Sequence, residues 1–110
     1  KKRRFDKMIY IHRTTNVIPS KVKEYNELVQ KFLLLMEKYG IKLVGSWQKT
    51  IGESWEYTHL TLVEDLATLQ KNLRALGQDQ EYQKLQEQMS HLITRRVIKI
   101  LSPTEYSPMK

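Results

Sequence analysis

Cysteine is absent from the 110 residues, which excludes disulfides, thiolate metal sites and a cysteine nucleophile, and agrees with a reducing compartment. Only four glycines and three prolines occur, and nowhere do they gather into an internal linker, a low-complexity tract or the seam of a second domain. No apolar run approaches the length of a membrane span, and Leu33-Leu34-Leu35-Met36 lies inside a charged helical pattern, so a soluble chain is expected. Zinc-finger spacing, an RNP-type aromatic motif and a basic heptad region are also missing, which removes specific nucleic-acid binding. The surplus of 19 Lys and Arg over 12 Asp and Glu, a formal charge of +7, then licenses only weak attraction to anionic surfaces. Part of that surplus is Lys1-Lys2-Arg3-Arg4. Residues 1–7 are expected to form a basic N-terminal tail and residues 8–110 one domain.

What the chain does contain is a sequence of short patterned segments. Residues 8–14 alternate Ile9 and Ile11 with Tyr10 and His12, a strand with an aliphatic and an aromatic-polar face. Asn16 to Ser20 breaks that strand at Pro19, with Ser20 placed to cap a helix. Across residues 21–39, Val22, Tyr25, Val29, Phe32, Leu33 and Met36 recur at steps of three and four, the stripe of an amphipathic helix that Gly40 ends. Residues 43–63 read as two β-rich runs joined by a short segment with Gly52 and Ser54, a hairpin. In its second run Leu60 and Leu62 alternate with Trp55, Tyr57, His59 and Thr61. Asp65 caps a second helical stretch that Gly77 interrupts and Asp79 restarts, carrying the pattern through Leu92 and Ile93. A last strand covers residues 96–101, and residues 102–108, with two prolines, form an extended tail.

The order βαββαβ predicts an α+β fold: a ferredoxin-like antiparallel sheet with both helices on one face. A chain of this length buries about two-thirds of its unfolded surface. Covering the bare sheet face with a second copy is therefore expected, giving a homodimer.

The strand at Tyr10 to Thr14, the turn Pro19-Ser20-Lys21, the run Leu43-Val44-Gly45-Ser46-Trp47 leading to Ile51-Gly52-Glu53, the triplet Thr58-His59-Leu60 and the ending with Pro103 and Pro108 together resemble the NIPSNAP family. The resemblance spans nearly the whole chain and implies a dimeric α/β barrel built from the βαββαβ unit. It carries no settled reaction. Eukaryotic members are associated with mitochondria and with vesicle or mitophagy-related roles. Three positions depart from the pattern: Ser20 stands for a glycine, Leu60-Thr61-Leu62 for an aromatic after the histidine, and no arginine occurs near Leu66 to Gln70. The chain reads as a divergent member.

For chemistry, His59 is the candidate catalytic or binding group, being a titratable side chain held mid-strand. If the first and third strands pair with Tyr10 and His12 opposite Tyr57 and His59, two histidines and two tyrosines share the bare face, with Trp47 and Trp55 as pocket walls. A metal site is not expected, because Glu56 and Glu64 have the wrong parity to join His59. Haem-degrading enzymes of the same fold use Asn, Trp and His together, and Asn16 falls outside any such arrangement. The leading functional expectation is a homodimeric binding or scaffold protein without a cofactor, with protein partners or a higher assembly open to it. The alternatives are a small cofactor-independent enzyme using His59 and a structural subunit of a larger assembly. The compartment expected is cytoplasmic, or mitochondrial where a targeting peptide has been removed.

Overall fold

The computed structural model describes residues 8–109, so the expected basic tail over residues 1–7 lies outside the described residues. β1 is Ile9–Val17, followed by a short 3-10 turn at Pro19–Lys21 and helix α1, Val22–Lys38. β2 is Lys42–Gln48 and β3 is Trp55–Val63; α2, Leu66–Gly77, and α3, Gln80–Ser90, precede β4, Ile93–Leu101. The four strands form one antiparallel sheet in the order β2-β3-β1-β4, the ferredoxin-like arrangement. No helix among the described residues is long and apolar enough to cross a membrane.

Local chemistry explains most boundaries. Asp65 caps α2 by accepting the Thr68 N–H at 2.7 Å, and Asp79 caps α3 by accepting from Glu81 and Tyr82. The Asp79 carboxylate also receives the Tyr39 hydroxyl at 2.6 Å, tying the end of α1 to the start of α3 and holding Asp79 below its ordinary carboxylate range. Asp65→Ala should cost about 1 kcal/mol through the lost cap alone, measured by urea denaturation. Ser20, by contrast, sits inside the 3-10 turn and caps nothing: Lys21 occupies the cap position of α1 and makes no side-chain bond there. β1 runs on through Asn16 and Val17, because these continue the ladder to Glu56 and Trp55, and Asn16 donates to the Ser54 hydroxyl at 2.9 Å. Ile93 belongs to β4 rather than to the preceding helix, since it pairs with Val17.

α1 ends in a left-handed glycine. Gly40 has φ +83°, its N–H bonds the Glu37 carbonyl at 2.9 Å, and the Ile41 N–H bonds the Met36 carbonyl at 3.0 Å. This turn buries Ile41. A β-carbon at Gly40 would also come within 2.8 Å of the Asn72 amide nitrogen. Gly40→Ala is therefore expected to destabilise by more than about 1 kcal/mol, read as a lowered Tm.

All three helices lie on one side of the sheet. α1 buries Tyr25, Val29, Phe32, Leu35 and Met36, α2 Leu69 and Leu76, α3 Leu85 and Met89. These close on Ile11, Val17, Tyr57 and Val63 from the sheet. Tyr25 and Tyr57 meet with ring centroids 4.9 Å apart, and Phe32 stacks on Tyr82 at 5.7 Å.

Tyr57 in that list overturns the expected face assignment. Ile11 pairs with Thr61, Arg13 with His59 and Thr15 with Tyr57, so the odd-numbered residues of both strands point to the helices. Tyr10, His12, Leu60 and Leu62 occupy the opposite, open face. The predicted grouping of Tyr10 and His12 with Tyr57 and His59 does not form. Its premise was that leucines go inward; here the ring of Tyr25 offers Tyr57 a partner inside, and the leucines go outward.

Among the described residues, the open face is covered only in part. The tail after Leu101 folds across one end, where Ser102, Pro103, Thr104, Ser107 and Met109 enclose a cavity of about 280 Å³ with Tyr10 and Leu60. Tyr10 is buried beneath it, whereas Tyr106 is 88% exposed.

Candidate functional site

Between α1 and the β2–β3 side of the sheet lies a cavity of about 370 Å³. α1 contributes Asn26 and Gln30 to its polar lining and Val29 and Leu33 to its apolar wall. β2 adds Leu43, Ser46 and Gln48, and β3 supplies Tyr57 and His59. A bulge shapes the β2 side: the ladder to β3 shifts between Leu43 and Gly45, which returns Ser46 and Gln48 to the helix side opposite His59 and Tyr57. Trp47 borders the cavity, but it stands opposite Thr58 on the other parity, with its indole folded over Gly45. A β-carbon at Gly45 would lie 2.5 Å from that ring, so Gly45→Ala should eject the half-exposed indole, seen as a red shift in fluorescence.

Of the six residues expected to share a pocket, Tyr57, His59 and the edge of Trp47 come together. Tyr10 and His12 are on the open face. Trp55 stands opposite Val17 at the end of the sheet, 43% exposed.

His59 is 3% exposed. Burial first, and the Arg13 guanidinium on the neighbouring strand second, push its pKa down to about 4, so the ring is neutral at pH 7. A neutral imidazole offers one N–H donor and one acceptor and is a weak proton acceptor in this state. The Tyr57 hydroxyl is buried without a hydrogen-bond partner. Behind them the helix–sheet layer holds Arg13 and Arg96, each with a buried, unpartnered Nε. Among the described residues, Arg13 reaches the Met36 sulfur, at 3.7 Å from Nη1, and the face of Phe32, 5.5 Å from the ring centroid. Its pKa is lowered by burial and then by the like charge of Arg96. Tyr25, packed on Tyr57, is pushed up to about 12, chiefly by burial.

These arginines escaped the reading of the sequence, although a signal was present. Arg13 has the parity of Ile9, Ile11 and Val17, so a strand with one buried face must bury its guanidinium too. Among the described residues no three His, Asp or Glu side chains gather as a metal site would require.

The NIPSNAP family model matches residues 10–108. No curated protein matches significantly. Among solved structures, a NIPSNAP family protein from Agrobacterium tumefaciens is 26% identical, with a TM-score of 0.84 over 94% of this chain and 92% of its own. A second Agrobacterium NIPSNAP family protein, of unknown function, is 22% identical with a TM-score of 0.84, 96% of each chain being covered. A Caulobacter crescentus protein named for the antibiotic biosynthesis monooxygenases shares the fold at 19% identity, with a TM-score of 0.68 over 92% of this chain and 93% of its own. With nearly its whole length matched by the family model, the chain belongs to the NIPSNAP family.

Proposed function

We propose that the protein is a homodimeric binding protein: two copies join through their open sheet faces, and each holds a small ligand in the cavity over Tyr57 and His59. The observation that carries the dimer is the one-sided burial of the sheet. The Cα trace is 17 Å through its thinnest dimension, room for a sheet and one helix layer about 10 Å away, and among the described residues the tail is what lies on the far side. On that side the central strands place Tyr10 and Leu62 toward the tail end and His12, Leu60, Thr14 and Thr58 in the middle. The edge strands place Lys42, Arg95 and Lys99 around them. Uncharged central pairs interleaved with apolar side chains, with charged residues on the edge strands, fit the anatomy of a subunit interface. Four strands about 4.8 Å apart and roughly 30 Å long give a footprint near 600 Å² before relief. A stable interface takes about 800 Å² from each partner, an area that side-chain relief and the tail bring within reach.

Binding is preferred to catalysis because His59, the one titratable group lining the cavity that combines deep burial with a shifted pKa, is held neutral with little basicity near pH 7. A turnover of small carbonyl or quinone compounds that His59→Ala abolishes, with fold and dimer intact, would reverse this preference.

The pairing of the faces is tested by methyl NMR with a soluble paramagnetic agent. Leu60, Leu62 and Val97 are expected to be shielded in the native protein and the exposed Ile51 strongly broadened. Equal broadening at all four would contradict the proposal.

A further inference from the structure

The cavity over Tyr57 and His59 borders an electrostatic imbalance. Arg13 lies directly across the ladder from His59, and Arg96 directly across from Thr15, so both arginines leave the sheet on the helix side. Among the described residues, the ionisable groups acting on Arg13 are Arg96, Tyr82 and Tyr25, none of them a carboxylate. Two guanidinium groups in the same layer repel each other, and each withholds an Nε–H from any acceptor. Burying an ion without a counter-charge is expensive, by several kcal/mol even after relaxation. A fold that retains such an arrangement is poised to accept an anion, which would gain from the field without further preparation of the site.

The cavity limits what kind of anion. Tyr57 is 5% exposed and its hydroxyl, buried without a partner, has a proton to donate. His59 beside it can donate a ring N–H while neutral. Val29 and Leu33 of α1 stand over this polar floor and Leu43 flanks it on β2; they would favour an apolar body and offer nothing to a small hydrated ion. Asn26, Gln30, Ser46 and Gln48 supply polar groups to the remaining wall.

Building on the binding role proposed above, we infer that the cavity takes a small carboxylic acid with a compact apolar body. Its carboxylate accepts hydrogen bonds from Tyr57 and His59 within the field of Arg13. Its body lies against Val29, Leu33 and Leu43. No bond is made or broken: the carboxylate is recognised as an anion.

The test uses the full chain and three probes: benzoate, its neutral isostere benzamide, and inorganic phosphate. His59 ring resonances are followed by NMR at pH 7.5, and affinities are taken from the titrations. Benzoate is expected to shift the His59 ring and to bind about tenfold or more tightly than benzamide, as charge-assisted hydrogen bonds require, while phosphate leaves the ring unmoved. Arg13→Met should erase the preference for benzoate and leave the Tm equal or higher, because it removes an uncompensated buried charge. A merely structural Arg13 would instead lower the Tm and leave the preference unchanged. Tyr57→Phe keeps the ring packed on Tyr25 and should weaken benzoate about tenfold with benzamide unaffected, which provides an independent reading should Arg13→Met fail to fold.

Benzamide matching benzoate at His59 would overturn the anion inference while leaving the cavity a binding site. Phosphate shifting the ring as benzoate does would overturn the requirement for an apolar body. Silence of the ring toward all three probes at tens of millimolar would overturn the inference and the binding role together. Preference for benzoate surviving in both variants would remove Arg13 and Tyr57 from the site and overturn the inference as stated.

Discussion

Leu60→Asp should yield a folded monomer. Leu60 lies on β3 opposite His12, at the centre of the open face and on the side of the strand away from the helices. Within one chain an aspartate there meets solvent and the tail, so the helical core has no reason to fail. In the proposed dimer the same aspartate is carried into the interface twice, once from each copy, with no lysine or arginine of the central strands on that face and the His12 imidazole across the ladder from it. Unpaired charge in such a setting costs at least about 3 kcal/mol, more than about a hundredfold in the dimer Kd. Circular dichroism should therefore be unchanged while sedimentation falls to that of one chain. Tyr57→Asp provides the contrast. Tyr57 points to the helices and packs on Tyr25, so this change should unfold the protein outright. Dissociation by Tyr57→Asp with the fold retained, or a persistent dimer of Leu60→Asp, would contradict the face assignment.

The second large effect is loss of stability in acid through His59. An exposed histidine titrates near 6.5, and the buried ring of His59 near 4. Between those values the unfolded chain binds the proton and the folded chain does not. The contribution of this group is thus complete above pH 6.5 and is lost as the pH falls toward 4. A gap of that size corresponds to about 3 kcal/mol. His59→Gln keeps a polar side chain without a titrating ring and should flatten this part of the profile. Urea denaturation at pH 7.5, 5.5 and 4.0 measures it: the native chain is expected to lose stability across the series by about 3 kcal/mol more than the variant. Parallel profiles would show that His59 is solvated or paired in a way the geometry does not provide. Tyr25 acts in the opposite direction at high pH. Its folded pKa of about 12 lies above the ordinary 10.0, so its contribution is lost as the pH rises from 10 to 12.

The order of elements was legible because each rests on local signals: the three- and four-residue steps of α1, the aspartates that cap α2 and α3, and Gly40 in its left-handed turn. Family membership was legible in the same stretches. Which face of β3 turns inward was not, because it depends on a cross-strand register that no single strand encodes. Hydropathy pointed the wrong way there. Leu60 and Leu62 look like core, yet the register to β1 sends them to the open face and leaves Tyr57, His59 and Thr61 among the helices. A leucine on a sheet face that lacks helices is economical only if another surface arrives to cover it. The misplaced residues thus strengthen the reason for a second copy. Arg13 is the complementary lesson: its parity with Ile11 turns it to the helix side, and following that parity leads to the guanidinium across the ladder from His59.

The most direct test is the mass of the native chain in solution. Light scattering coupled to size exclusion, at a few micromolar and moderate salt, should give twice the 13.2 kDa of one chain, a value that Leu60→Asp halves. A stable 13.2 kDa species for the unaltered protein at that concentration would contradict the pairing of the open faces.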